Sequence, residues 1–298
     1  MKRSLYIFCG ILLLVYVVLT LLDHSEYRIE KKLWQLQRQY AAIALDPTVV
    51  PGKRFDDVAL QYQAIIDKYP SASMIPEIRL QVARVYLLKK DFDRVSEILN
   101  AFLQRYASDP ELSARAMLLL GNVYEVQQDE TKALATYHEI IEKYPLTTTG
   151  LNVPFYIADY YTRANQADRV GEALDNAATI YRNLLSMRLT AHEQFFVLRY
   201  LGLVYTAQQD WESAFNALGM ALQVYGGTKD NIPLEIVLQV VKALNTIAIS
   251  ELKDGGRLVA LYHNFIKLYP NHKLNRHLKK VVGGVEELKL QPATGQPI

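Results

Sequence analysis

Six times along the chain a tyrosine closes a helix-like pattern, at Tyr69, Tyr106, Tyr144, Tyr181, Tyr225 and Tyr269. The first four lie roughly 37 or 38 residues apart and the last three about 44 apart. A period of that size fits two helices and their connections. The segments between the tyrosines carry apolar residues at steps of three and four and lack strand-like alternation. Only 14 glycines and 11 prolines are spread over 298 residues, which leaves room for uninterrupted helices. The expected class is therefore all-α, built from repeated helix pairs.

One unit, aligned on Gly121, reads Met117, Leu120, Gly121, Tyr124, Ala133, Tyr137, Ile140 and Pro145. This pattern resembles the tetratricopeptide repeat, a helix-turn-helix unit of about thirty-four residues. Where two antiparallel helices cross closely only Gly or Ala fits, while Leu120 and Tyr124, one turn apart, fill the adjoining space. A second unit has Leu201, Gly202, Tyr205, Ala214, Leu218 and Ala221. A third has Val82, Ala83, Tyr86, Val95 and Leu99, and a fourth Ile157, Ala158, Tyr161, Val170, Leu174 and Ala177. Together these four units cover about residues 76–226. Fainter copies flank them. Val58, Tyr62, Ile65, Tyr69 and Pro70 read as a second helix whose partner falls in residues 27–45, and residues 236–252 and 257–269 read as another pair turning at Gly255 and Gly256.

The resemblance implies a right-handed α-solenoid of antiparallel helix pairs over residues 55–271. Residues 272–290 are expected to form a capping helix, with Leu274, Leu278, Val281, Val285 and Leu288 on one stripe. Residues 291–298 are left as a flexible tail. Residues 23–54 are expected to be a juxtamembrane helix and linker. In that segment Ile29, Leu33, Leu36, Tyr40 and Ile43 step by four and three, which suits the opening helix of the array and also a short coiled coil with another chain.

Ahead of the array, Ser4 to Leu22 carries no charge and is long enough, at ~1.5 Å per residue, to span a bilayer core. Leu19 to Asp23 offer no small-residue cleavage site, and Tyr6, Ile7 and Phe8 before Cys9 do not match a lipoprotein signal. An uncleaved single-pass anchor over residues 1–22 is the expectation. Arg28, Lys31, Lys32 and Arg38 a little beyond the span count the other way, but Lys2 and Arg3 before it, with Asp23 and Glu26 immediately after it, favour the large domain outside on the close flank. In a bacterium that means an inner-membrane protein with a periplasmic C-terminal domain.

Catalysis is not foreseen. The 6 histidines lack the spacing of a zinc protease, and the lone cysteine lies within the apolar run, so no metal or cofactor is expected. A net charge of +2 and a pI near 8.4 argue against a nucleic-acid partner. The expected partner is a protein or peptide, because the resemblance implies a groove lined by the first helices of successive units. Its places fall on Arg84 and Leu87, on Asn122 and Glu125, on Phe155, Asp159 and Arg163, and on Phe196 and Arg199. Asp159 puts a negative charge where a carboxylate-clamping array carries cations.

The stretches Tyr62 to Pro70 and Tyr137 to Pro145 are similar to those of bacterial envelope tetratricopeptide proteins. These include the lipoprotein of the β-barrel assembly machinery and anchored helpers of the Sec translocon. The function implied is a non-catalytic membrane-anchored scaffold or chaperone-like adaptor. The alternative is a regulatory or structural subunit of an envelope enzyme complex, or a self-associating assembly.

Overall fold

The computed structural model describes residues 12–13, 27–228 and 232–290, with side chains as far as residue 287. Apart from Leu12 and Leu13, the apolar run Ser4 to Leu22 lies outside the described residues, as does the 291–298 tail. Among the described residues no helix is long and apolar enough to cross a membrane.

Every described element is helical. Residues 27–45 form α1, a single 3-10 turn (Pro47–Val49) follows, and then come α2 (Gly52–Lys68), α3 (Ile75–Lys89), α4 (Phe92–Arg105) and α5 (Pro110–Val126). Next are α6 (Glu130–Lys143), α7 (Thr148–Arg163), α8 (Ala167–Leu185), α9 (Ala191–Ala207) and α10 (Trp211–Gly227). The last are α11 (Leu234–Thr246), which runs on through a π turn (Ile247–Glu251), α12 (Gly255–Leu268) and α13 (Asn275–Leu290). The chain divides into two compact units, Met1–Thr136 and Tyr137–Ile298.

In the first unit α3 packs on α2, α4 and α5. In the second, α7 packs on α8 and α9, α10 on α9, α11 and α12, and α13 on α12. Contact between α3 and α5, and between α7 and α9, sets first helices side by side, as stacked hairpins require. Each hairpin buries the residue seven before its closing tyrosine: Tyr62, Leu99, Tyr137, Leu174, Leu218 and Tyr262 are all nearly inaccessible. The closing tyrosines themselves divide. Tyr181 and Tyr225 are buried, whereas Tyr69, Tyr106, Tyr144 and Tyr269 sit half-buried at helix ends. Spacing widens after Tyr181 because α8 continues past it to Leu185 and α10 past Tyr225 to Gly227.

Gly202 shows why the repeat needs a small residue at that crossing. A Cβ there would come within 2.6 Å of the Leu218 side chain, itself buried, so α9 and α10 would have to part.

The turn inside each hairpin repeats as closely as the core. Lys90, Gln128, Asn165, Gln209 and Lys253 all adopt positive φ, between 52° and 62°. The residue after four of them is an aspartate, Asp91, Asp129, Asp210 or Asp254, whose carboxylate accepts a backbone N–H in the next helix. In the first four turns the residue after the left-handed one donates its N–H back to a tyrosine carbonyl: Tyr86, Tyr124, Tyr161 and Tyr205. In the last turn Asp254 reaches Ala248, one residue further back, and the π turn holds the surplus residue.

Both ends of the array close on themselves. Ile29, Leu36 and Ile43 of α1 are buried, with Leu33 and Tyr40 packed beside them, in the same core as α2 and α3. That occupies the stripe a coiled-coil partner would use. Among the described side chains of α13 the buried apolar positions are Leu278, Val282 and Val285, so the stripe runs through Val282 where the spacing had suggested the half-buried Val281.

Candidate partner-binding faces

In the first unit Arg84 and Leu87 lie on α3, and Asn122 and Glu125 on α5. Leu87 is half-buried against the core, so it presents an edge more than a free surface. Arg84 is engaged: its Nη1 donates to Glu77 Oε1 at 2.9 Å, and Arg115 of α5 grips the other oxygen of the same carboxylate. Burial pushes the Glu77 carboxyl up, but the Arg84 and Arg115 guanidiniums outweigh it and hold it below the usual carboxylate range. Arg84 is thus part of a strap between neighbouring first helices. Asn122 and Glu125 are half-buried and already hold interactions within the protein.

In the second unit Phe155, Asp159 and Arg163 follow one face of α7 at steps of four. Asp159 and Arg163 pair at 2.9 Å, so the negative charge expected to oppose a carboxylate ligand is neutralised in place. Arg163 also lies 5.1 Å over the Tyr156 ring, and Tyr156 meets Tyr137 edge-on at 5.4 Å. On α9, Phe196 is half-buried beside His192, and Arg199 stacks over Tyr200 at 5.3 Å. Arg199 donates to Gln239 of α11 at 3.2 Å and meets no carboxylate among the described residues.

Sequence reasoning missed Glu77, Arg115 and Gln239, the residues that tie one first helix to the next. It also missed a cation eight residues after the first-helix tyrosine: Arg94 over Tyr86, Lys132 over Tyr124 and Arg169 over Tyr161. Two of these cations donate to the phenol oxygen as well, Arg94 at 2.9 Å and Arg169 at 2.7 Å. The spacing was available; in the unit containing Tyr205 the corresponding residue is Ser213, which interrupts the pattern.

Among the described residues no group of three or more His, Cys, Asp or Glu could hold a metal ion. His272 packs edge-on against Tyr225 and Phe265, and its Nδ1 accepts the Leu274 N–H at 3.2 Å. Burial, helped by Lys273, lowers its pKa.

Residues 115–147 match the family model of the tetratricopeptide repeat, from the body of α5 through α6 to the turn beyond it. The chain carries a tetratricopeptide repeat. Proteins built on tetratricopeptide repeats are protein-interaction scaffolds, generally without catalysis of their own. No curated protein matches the sequence. Among solved structures, BtubC (BKLC) from P. vanneervenii is 13% identical, with 92% of this chain and 96% of that one covered at a TM-score of 0.39. The APC/C hetero-tetramer Cut9-Hcn1 is 12% identical, with 85% and 52% covered at a TM-score of 0.29. Both superpositions are loose, and nothing about partners passes from them to this chain.

Proposed function

We propose that the protein is a membrane-anchored tetratricopeptide scaffold of the bacterial cell envelope that holds an extended segment of a partner protein against its first helices. The observation that carries the binding role is the run of exposed and half-buried side chains on α7 and α9. Phe155 and Phe196 offer apolar edges, the Asp159–Arg163 pair can exchange hydrogen bonds with a backbone, and Arg199 lacks a carboxylate partner among the described residues. A rigid face of this kind binds through many weak contacts, and an anchor at residues 4–22 would raise local concentration at the bilayer. The uncharged run and the flanking Lys2 and Arg3 support the anchor and an outward-facing domain.

The test places a photo-crosslinking phenylalanine analogue at Phe196 in the full-length protein in native membranes. A discrete polypeptide adduct is expected, lost when Arg199→Glu is added. No adduct, or the same adduct from a second-helix position such as Asp168, overturns the reading. Protease digestion of the domain from the cytoplasmic side alone overturns the placement outside the membrane.

A further inference from the structure

A cavity of about 440 Å³ opens in the first unit between α2, α3 and α4, within the size range of ligand pockets. Its floor is apolar, made by Ile66, Val82, Ile98 and Phe102. Arg79, Arg94 and Arg105 border it against a single acid, Glu97. At about 100° per residue, Arg79 and Tyr86 on α3 lie nearly half a turn from Glu77 and Arg84. The cavity is therefore separate from the first-helix face and does not rest on the function proposed above.

Arg79 points to a ligand. Its Nε is shielded from solvent and has no hydrogen-bond acceptor. Neither Arg79 nor Arg105 has an ion pair among the described residues, whereas Arg94, the third arginine of the cleft, pairs with Asp91 at 3.8 Å and donates to the Tyr86 hydroxyl at 2.9 Å. A guanidinium does not shed its proton, so a buried N–H without an acceptor is a standing cost. The shielded Nε itself is out of an anion's reach, but a carboxylate entering the cavity would meet the charge of Arg79 and Arg105, which no carboxylate among the described residues pairs, and make charge-assisted bonds with it. On the rim, Gln63 donates its amide to Asp67 at 2.7 Å and keeps its carbonyl oxygen for another donor. With the Glu97 carboxylate it supplies two acceptors suited to peptide N–H groups, for which an acyl chain has no use.

We propose that this cleft binds an acidic peptide segment of a partner protein. A Glu or Asp carboxylate meets the arginines, and a neighbouring apolar side chain rests on Ile66, Val82 and Phe102.

The experiment uses the full chain in zwitterionic nanodiscs and a fluorescein-labelled ten-residue peptide alternating Glu and Leu around a central Phe. The control is its Gln counterpart, the competitor is oleate, and the readout is anisotropy. Saturable binding of the Glu peptide is expected, at least tenfold tighter than the Gln peptide. Arg105→Gln, an exposed change that leaves the core intact, and Arg79→Gln each weaken it at least fivefold. Arg199→Glu, in the other unit, leaves it unchanged, which separates this site from the first-helix face. Equal affinity for the two peptides, indifference to both arginine variants, or binding of oleate without either peptide overturns the proposal.

Discussion

Buried tyrosines show how differently one residue type is used. The Tyr62 hydroxyl has no hydrogen-bond partner, while the Tyr181 hydroxyl donates to the Leu151 carbonyl at 2.7 Å. Tyr62→Phe is expected to leave stability unchanged or raise it by up to about 1 kcal/mol, and Tyr181→Phe to lower it by about 1 kcal/mol, by urea denaturation. Burial, with Tyr40 adding to it, pushes the Tyr62 phenol up to about 12. Because the folded value lies above the unfolded one, its contribution is complete below pH 10 and is lost as pH rises from about 10 to 12. The parent protein should thus lose up to about 2 kcal/mol more than Tyr62→Phe over that interval. That these tyrosines pack was legible in the spacing, but the spacing did not separate them from Tyr69, Tyr106, Tyr144 and Tyr269, which recur as regularly and sit half-buried at helix ends. Which hydroxyl finds an acceptor was not legible, because the acceptor at Leu151 lies 30 positions away on another helix.

Helices and their turns were the most readable level. Pro145 falls two residues past the end of α6, and Pro110 opens α5, where its missing donor costs nothing; the turn expected at Gly255 and Gly256 instead lies just before them, at Lys253, and both glycines are in α12. The turn inside each hairpin was not read, since a left-handed Lys or Gln leaves no composition signal. There, Gln209 accepts a strained φ of 60° and Asp210 restores order by capping α10. Gln209→Gly should raise stability by about 0.5 to 1 kcal/mol by relieving that strain, and Asp210→Ala should lower it by about 1 kcal/mol. Differential scanning calorimetry of the two variants checks both signs. Equal effects in one direction would mean that the turn carries no strain. The groove residues were legible as positions and not as partners. The period places Arg84 on a first helix two turns from Glu77, but the second grip on that carboxylate, from Arg115, depends on how close α5 comes to α3.

At the level of the molecule, each unit contains its own apolar cluster, one from Ile29 to Val123 and one from Phe195 to Val285. Stacked hairpins depend on their neighbours alone, so damage should stay local. Phe102→Ala is expected to abolish slow amide exchange in α3 to α5 while sparing α10 to α13, and Phe265→Ala to do the reverse. Hydrogen-exchange mass spectrometry reads both, and uniform loss from either variant would show one cooperative block. The division into units was not visible in the sequence, because the period runs across it without a break: α6 contains the boundary and still obeys the repeat.

The widened turn at Ile247–Glu251 shows how such a chain tolerates a change in its own length. An added residue in an ordinary helix swings everything after it by about 100° and would point the wrong side of α12 inward. Here the excess is confined to one loosened coil, so the downstream side chains keep their bearing. Removing the exposed Ile249 should convert that coil to the tighter form and leave Tyr262 and Phe265 where they are, with melting temperature preserved or raised. A lineage of these proteins could gain or shed a residue at this spot without rebuilding its last hairpin.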